Sequence, residues 1–194
     1  MSDISLVKEI RLETGASVKD INAALAESND DKQKALEYLE KQGKKIAAKK
    51  SERSASEGIV TAYIHGTGKV GVLLELACET DFVARNADFK ALAHDLAMHI
   101  AALNPSYVSA ADIPADVVAN KRAVIADSKD VKGKPAKVQE KIIDGKFQAF
   151  AAEIVLLQQP FVKDGDKIVQ QVIEEATAKI GEKIQVKRFA RFAM

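Results

Sequence analysis

A β-hairpin signature in the first half of the chain constrains the fold more than any other feature. Residues 59–64 and 70–78 are rich in β-branched and aliphatic side chains, and the loop between them contains two glycines. Two such runs around a short glycine-containing loop are typical of adjacent antiparallel strands. In the second run one alternating set of residues is wholly apolar, which predicts a buried face. This set is Val70, Val72, Leu74, Leu76 and Cys78.

Helical periodicity precedes the hairpin. Residues 1–43 are predicted to form three short helices with a small shared core. Gly15 and Gly43 are expected to end the first and third helices, because glycine readily adopts the left-handed conformation at a helix C-terminus. Ser17 begins a capping-box pattern that opens the second helix, and Asn29-Asp30 is expected to start the third. A bundle of this size is typical of an interaction domain.

The next segment, residues 44–56, is basic and poor in large apolar side chains. We predict a linker that is helical at most in its first half. Such a charge run usually forms a solvated face or a tether, and contact with an acidic partner surface is the alternative. The basic residues are Lys44, Lys45, Lys49, Lys50 and Arg53.

Helices are expected to fill most of the chain after the hairpin. Apolar residues at helical spacing predict a helix that ends at Asn104-Pro105, and Pro114 and Pro135 are each expected to begin another. Gly145 is expected to break the helix that Pro135 begins. A last helix is predicted to end at Gly181, which serves as its cap.

A third strand is predicted at residues 183–192, where the alternation slips at Arg188-Phe189 and indicates a bulge or the end of pairing. The pattern as a whole predicts an α+β fold in which helices pack on a small three-stranded antiparallel sheet. The expected organisation is a three-helix domain over residues 1–43, a basic linker over residues 44–56 and an α+β core domain over residues 57–194.

Composition limits the classes of partner. The formal net charge of +1 gives no global field for nucleic acid or an anionic membrane, so neither is expected as a partner. Cys78 is the single cysteine, which excludes an intrachain disulfide framework and a multi-cysteine zinc site. Neither a signal segment nor a membrane span is expected, and one unpaired cysteine suits the cytoplasm.

No residue pattern predicts catalysis or a bound cofactor. The glycine-containing loop departs from the phosphate-loop sequence, because Tyr63 occupies the first glycine position and Val70 the hydroxyl position. His94 and His99 are five residues apart, whereas paired metal ligands on a helix prefer a spacing of three or four. Cys78 lies on the apolar strand face, where a packed thiol is expected. We therefore expect a protein that is not an enzyme and holds no metal or cofactor.

The corner at residues 80–89, where the second strand turns into a helix, is the most distinctive part of the chain. An aromatic residue, Phe82, stands there beside several carboxylates. One interpretation is structural, with Asp81 or Asn86 capping the following helix and Phe82 packed inward. A small enzyme that uses the carboxylates is another. The carboxylates are Glu79, Asp81 and Asp88.

The corner reads Thr80-Asp81-Phe82-Val83-Ala84-Arg85-Asn86, with Phe89 three residues further on. This sequence resembles the signature of bacterial elongation factor Ts. Residues 156–164 resemble a second marked stretch of that family, and residues 181–189 resemble its final strand. Residues 7–16 are similar to its ubiquitin-associated-like N-terminal domain. The resemblance covers nearly the whole chain, in the expected order.

The resemblance implies a guanine-nucleotide exchange factor for elongation factor Tu in translation elongation. It assigns Thr80, Asp81, Phe82 and Val83 to partner binding. Phe82 is expected to enter between two helices of the Tu G domain, with Asp81 beside it, so that the Mg²⁺ site of Tu is disturbed. The chain resembles the short members of the family, which implies a symmetric homodimer, with the sheet edge and the Cys78 strand as interface elements. A non-enzymatic adaptor that uses the three-helix domain is the alternative function.

Three places depart from the family pattern. Asn22-Ala23 stands where lysines are frequent in the second helix, which leaves open how the three-helix domain docks on Tu. Lys183 stands where Asn is usual, and Ala77 where Asn often precedes the cysteine. These departures affect local contacts and leave the resemblance intact.

Overall fold

The computed structural model describes residues 3–194, and in this range the protein forms eight α-helices and five strands. This mixture confirms the predicted α+β class. Among these residues no helix is both long and apolar enough to cross a lipid bilayer. The helices are α1 (Ile4–Thr14), α2 (Val18–Glu27), α3 (Lys32–Lys50), α4 (Asp81–Arg85), α5 (Ala87–Leu103), α6 (Ala115–Ala126), α7 (Ala136–Ile154) and α8 (Val169–Ile180). The strands are β1 (Glu57–His65), β2 (Val70–Cys78), β3 (Pro160–Phe161), β4 (Asp164–Ile168) and β5 (Gln185–Ala193).

The predicted hairpin belongs to a three-stranded antiparallel sheet in the order β1-β2-β5. Its loop is a turn in which Gly66 and Gly68 have positive φ, and the Gly68 N–H donates to the His65 carbonyl at 3.0 Å. The side chains of β2 alternate as predicted, with Leu74 buried and Leu73 exposed. Because β2 is the central strand, both of its edges are occupied. Its exposed side chain, Leu73, lies on the face of the sheet that we call the outer face.

The third strand, β5, begins at Gln185, two residues later than predicted. Its alternation slips where the sequence indicated, since Val186 is buried and the next partly buried residues are Phe189 and Arg191. The strand nevertheless continues to Ala193, so the slip does not end it.

The chain divides into two compact units that each combine distant segments. The first contains the chain up to Thr61, residues 74–95 and residues 171–187. The second contains residues 62–73, 96–170 and 188–194.

The three N-terminal helices, here called the head, lie in the first unit and have their own small core. The predicted caps of its first two helices are confirmed. Gly15 ends α1 with φ of 67° and donates its N–H to the Arg11 carbonyl at 2.9 Å. The Ser17 hydroxyl oxygen accepts the Asp20 N–H at 3.1 Å and so caps α2. The core consists of Ile10, Ile21, Ala24, Leu25 and Ala35.

Helix α3 differs from the prediction at both ends. It is capped by the Asp31 side chain, which accepts the Lys34 N–H at 3.1 Å, one residue after the expected start. It also continues through Gly43 to Lys50, so Gly43 does not end it. The first half of the predicted linker, residues 44–50, is therefore helical, in agreement with the prediction for that half. The lysines and alanines beyond Gly43 are good helix formers, and Lys44 pairs with Glu40 one turn earlier at 2.7 Å.

The second unit contains the helical pair α6 and α7 and a short hairpin. Pro114 and Pro135 immediately precede these helices, as predicted. Gly145 does not break α7, which runs to Ile154, because one helical glycine costs only about 1 kcal/mol. The antiparallel pair β3 and β4 was not predicted and lies in a region that was expected to be helical.

A buried histidine anchors that hairpin to α5. The His99 side chain is fully buried, and its Nδ1 accepts the Val162 N–H at 3.1 Å. Its Nε2 lies 2.9 Å from the Gln159 Oε1 and donates to it, since Nδ1 is already an acceptor. The ring also stacks on Phe161 with centroids 5.7 Å apart. His99 is therefore a neutral structural residue with both ring nitrogens satisfied.

Candidate partner-binding site

The corner is built from two consecutive helix starts. The Thr80 hydroxyl oxygen accepts the Val83 N–H at 3.4 Å and caps the short helix α4. After α4 the Asn86 side chain accepts the Asp88 N–H at 2.7 Å at the start of α5. The predicted capping role of Asn86 is thus present, whereas at the start of α4 the cap is Thr80 and not Asp81.

Phe82 is the exposed apolar residue of this corner. It is 81% exposed, so the structural interpretation of the corner, in which Phe82 packs inward, is wrong. The Phe82 side chain faces solvent because Ala84 and Phe89 are the residues of the corner that turn inward and are buried. Val83 is partly buried beside them. Because the Phe82 side chain is exposed and not part of the core, it is accessible to a partner.

The rear of the corner is held by a segment that lies about 100 residues later in sequence. The Glu182 carboxylate accepts the N–H groups of Glu79 and Thr80 at 3.1 and 3.0 Å, and the Thr80 hydroxyl at 2.7 Å. In return the Glu79 carboxylate accepts the Lys183 N–H at 2.7 Å. Glu182 was not predicted from the sequence, because no local pattern links it to Thr80.

The three carboxylates near the corner have separate partners. Asp81 pairs with Arg85 at 2.8 Å, and Asp88 pairs with Lys179 at 2.9 Å. The Lys183 amide, with a smaller contribution from the Arg53 guanidinium, lowers the pKa of Glu79 below its usual value. A general acid would need a raised carboxyl pKa, so the arrangement of Glu79 argues against that use.

The remaining chemical candidates are also held in structural contacts. Cys78 is fully buried, its thiol lies 3.2 Å from the Thr80 carbonyl oxygen, and burial raises the pKa of the thiol. It is therefore a packed thiol, as predicted, and a poor nucleophile. Within residues 3–194, no group of three or more His, Cys, Asp or Glu side chains is arranged to hold a metal ion.

Comparison with known proteins places the whole chain in one family. Residues 4–194 match the family model described as elongation factor TS. The chain is 50% identical over 190 residues to elongation factor Ts of Desulforamulus reducens, covering 98% of this chain and 88% of that protein. It is 50% identical over 186 residues to elongation factor Ts of Moorella thermoacetica, covering 96% and 92%. It is 46% identical over 194 residues to elongation factor Ts of Heliobacterium modesticaldum, covering 100% and 90%.

Proposed function

The chain belongs to the elongation factor Ts family, and on that premise we propose that it acts as the guanine-nucleotide exchange factor for elongation factor Tu. A role in translation elongation follows from the family itself. The observation that carries the finer proposal is the exposed Phe82 on a corner whose backbone is fixed from behind. The proposed setting is the cytoplasm, where translation takes place.

Exchange requires coupling between two binding equilibria and no covalent step. If the protein binds nucleotide-free Tu more tightly than GDP-bound Tu, it must weaken GDP binding by the same factor. A thousandfold effect corresponds to about 4 kcal/mol. Burial of one large apolar side chain contributes about 1.5–3 kcal/mol. Phe82, which is almost wholly in solvent in the free protein, can supply much of this coupling when a partner covers it.

Each corner residue has a distinct proposed role. Phe82 enters between two helices of the Tu G domain and so disturbs the site at which Mg²⁺ and the nucleotide phosphates are held. Asp81 contacts the partner beside it and is kept in place by Arg85. Thr80 caps α4, and Val83 is partly buried and donates its N–H to that cap, so that both shape the corner. None of the four is proposed to bind a metal.

We also propose that the protein is a homodimer that pairs through the outer face of its sheet. Arg191 donates two hydrogen bonds to the Ala101 carbonyl on α5, at 3.1 Å each, so the adjacent Phe192 points to the opposite face. Ile64 and Leu73 are exposed on that outer face with it. Such an apolar patch can pair with the same patch on a second copy of the chain, which is an isologous interface.

Release of a fluorescent GDP from Tu, timed by stopped flow, tests the exchange function. The wild-type protein should accelerate GDP release strongly, and Phe82→Ala should reduce this acceleration at least tenfold. Its stability should stay within about 0.5 kcal/mol of wild type, because the side chain is exposed. Val124→Ala is the matched control, since Val124 is an exposed apolar residue on α6.

Two outcomes would count against the proposal. No acceleration by the wild-type protein would remove the exchange function and favour the adaptor function of the head, where Ile4 and Leu12 are exposed. Normal acceleration by Phe82→Ala would remove the role of the corner in exchange.

A further inference from the structure

Three consecutive residues after α8 contact both the corner and the C-terminal end of α3, which lie in the first unit. Glu182 and Lys183 hold the corner through the hydrogen bonds described above. The Lys183 ammonium group donates to the carbonyls of Ser51 and Arg53, at 2.6 and 2.8 Å, just beyond the end of α3. Lys50, the last residue of α3, donates to the Gly181 carbonyl. We call residues 181–183 the brace.

The brace determines the backbone from which Phe82 projects. One carboxylate, that of Glu182, accepts three hydrogen bonds from Glu79 and Thr80, which leaves the peptide between them little freedom to rotate. The same Thr80 hydroxyl accepts the Val83 N–H, so the chain of hydrogen bonds passes from Glu182 to both sides of Phe82. Phe82 itself is almost wholly exposed, so packing does not orient it.

The other end of the brace reaches the head. Helix α3 supplies Leu36 and Leu39 to the core of the head and continues without interruption to Lys50. The Lys183 side chain holds the carbonyls that follow this helix, while its own backbone N–H binds Glu79. One residue therefore contacts both the corner and the C-terminal end of the head's longest helix. Neither contact could be read from the sequence.

We propose that Glu182 is a positioning residue for nucleotide exchange and that Lys183 couples the head to the corner. The proposal rests on the exchange function proposed above. Glu182 acts by fixing the direction of Phe82, so it changes how fast GDP leaves the bound complex. The family resemblance implies that the head also docks on Tu. Lys183 acts by holding the head and the corner in a fixed relation, so it changes how tightly the complex forms.

The first test measures GDP release over a range of protein concentrations. In Glu182→Ala, the maximum release rate should fall about tenfold, while the concentration for half-maximal effect should change less than threefold. Glu182→Gln should recover most of the rate, because its amide oxygen still accepts the two backbone N–H groups. Asp127→Asn is the control, since it removes a carboxylate from an exposed pair with Lys132. A wild-type maximum rate for Glu182→Ala would overturn the positioning role.

A double-mutant cycle separates positioning from general destabilisation. If Glu182 acts through Phe82, Glu182→Ala should have no further effect on the rate in a protein that already carries Phe82→Ala. Two effects that multiply in full would overturn the inference. The wild-type and Phe82→Ala rates in the same series report on the exchange function independently. If Glu182→Ala does not fold by circular dichroism, Thr80→Val replaces it in the cycle, because this change removes the hydroxyl that joins Glu182 to the Val83 N–H.

Lys183→Met tests the coupling to the head. The change removes the ammonium contacts to Ser51 and Arg53 but keeps the backbone N–H that binds Glu79. The concentration for half-maximal release should rise about fivefold, with the maximum rate unchanged. An unchanged half-maximal concentration would overturn the coupling, and a fall in the maximum rate alone would do so as well.

Discussion

At the scale of single residues, His99 shows how one buried polar group can make stability depend on pH. Burial lowers the pKa of His99 below its ordinary value of 6.5. The folded protein therefore keeps this ring neutral in a pH range where the unfolded chain takes up a proton. The stabilisation is complete above the unfolded pKa and is lost as the pH falls below it.

We expect the free energy of unfolding to decrease as the pH falls below 6.5, by at most about 1.4 kcal/mol per pH unit from this residue. His99→Gln should be less stable at neutral pH, since the bond from the Val162 N–H is altered, but its pH profile should be flatter. His94→Gln, at an exposed position of the same helix, is the control. Urea titrations at each pH measure the difference, and parallel profiles for wild type and His99→Gln would contradict the assignment.

At the scale of elements, one glycine inside a helix and one at a helix end should respond in opposite ways to substitution by alanine. Gly181 ends α8 with φ of 85° and donates its N–H to the Thr177 carbonyl at 2.9 Å. Gly145 lies inside α7 and does not have positive φ. Neither position has a heavy atom within 4 Å of an added Cβ, so backbone conformation decides the effect of a side chain.

Gly181→Ala should destabilise the protein by about 1–2 kcal/mol, because an L-residue is strained in the left-handed conformation. Gly145→Ala should stabilise it by about 0.5–1 kcal/mol, because alanine loses less backbone entropy in a helix. Thermal and urea unfolding of the two variants provides a matched pair. The same sign for both changes would show that φ is not the deciding factor.

At the scale of the whole molecule, the outer face of the sheet is the proposed dimer interface. Leu73 lies on the central strand of this sheet and is exposed. A charge there would be buried by a second copy of the chain and left unpaired, which is costly. The structure of the single chain should be unaffected, because the residue faces solvent in the absence of a partner.

We therefore expect a species of about twice the chain mass of 21.0 kDa for the wild-type protein at micromolar concentration. Leu73→Glu should sediment as the single chain with an unchanged circular dichroism spectrum. Val124→Glu, which places the same charge at an exposed apolar position of α6, should remain dimeric. A wild-type protein that sediments as a monomer would remove the interface.

Local chemistry allowed much of the fold to be predicted. The alternation in β2, the turn glycines and the caps at Gly15, Ser17 and Gly181 all act over a few residues, so their outcomes follow from sequence. Predictions failed where a weak local signal competed with helix propagation or packing. Gly43 and Gly145 are the clearest cases, since each lies inside a long helix.

The α+β class, the family and the position of the corner follow from the amino-acid sequence, because they depend on periodicity and on a recognisable local motif. The direction of Phe82 and the contacts that hold the corner follow from the folded chain. These contacts join Thr80 to Glu182 and Glu79 to Lys183 across about 100 residues of chain. Hydrogen bonds between such distant segments leave no periodic trace in the sequence, since they depend on where the folded chain brings β2 and the end of α8 together.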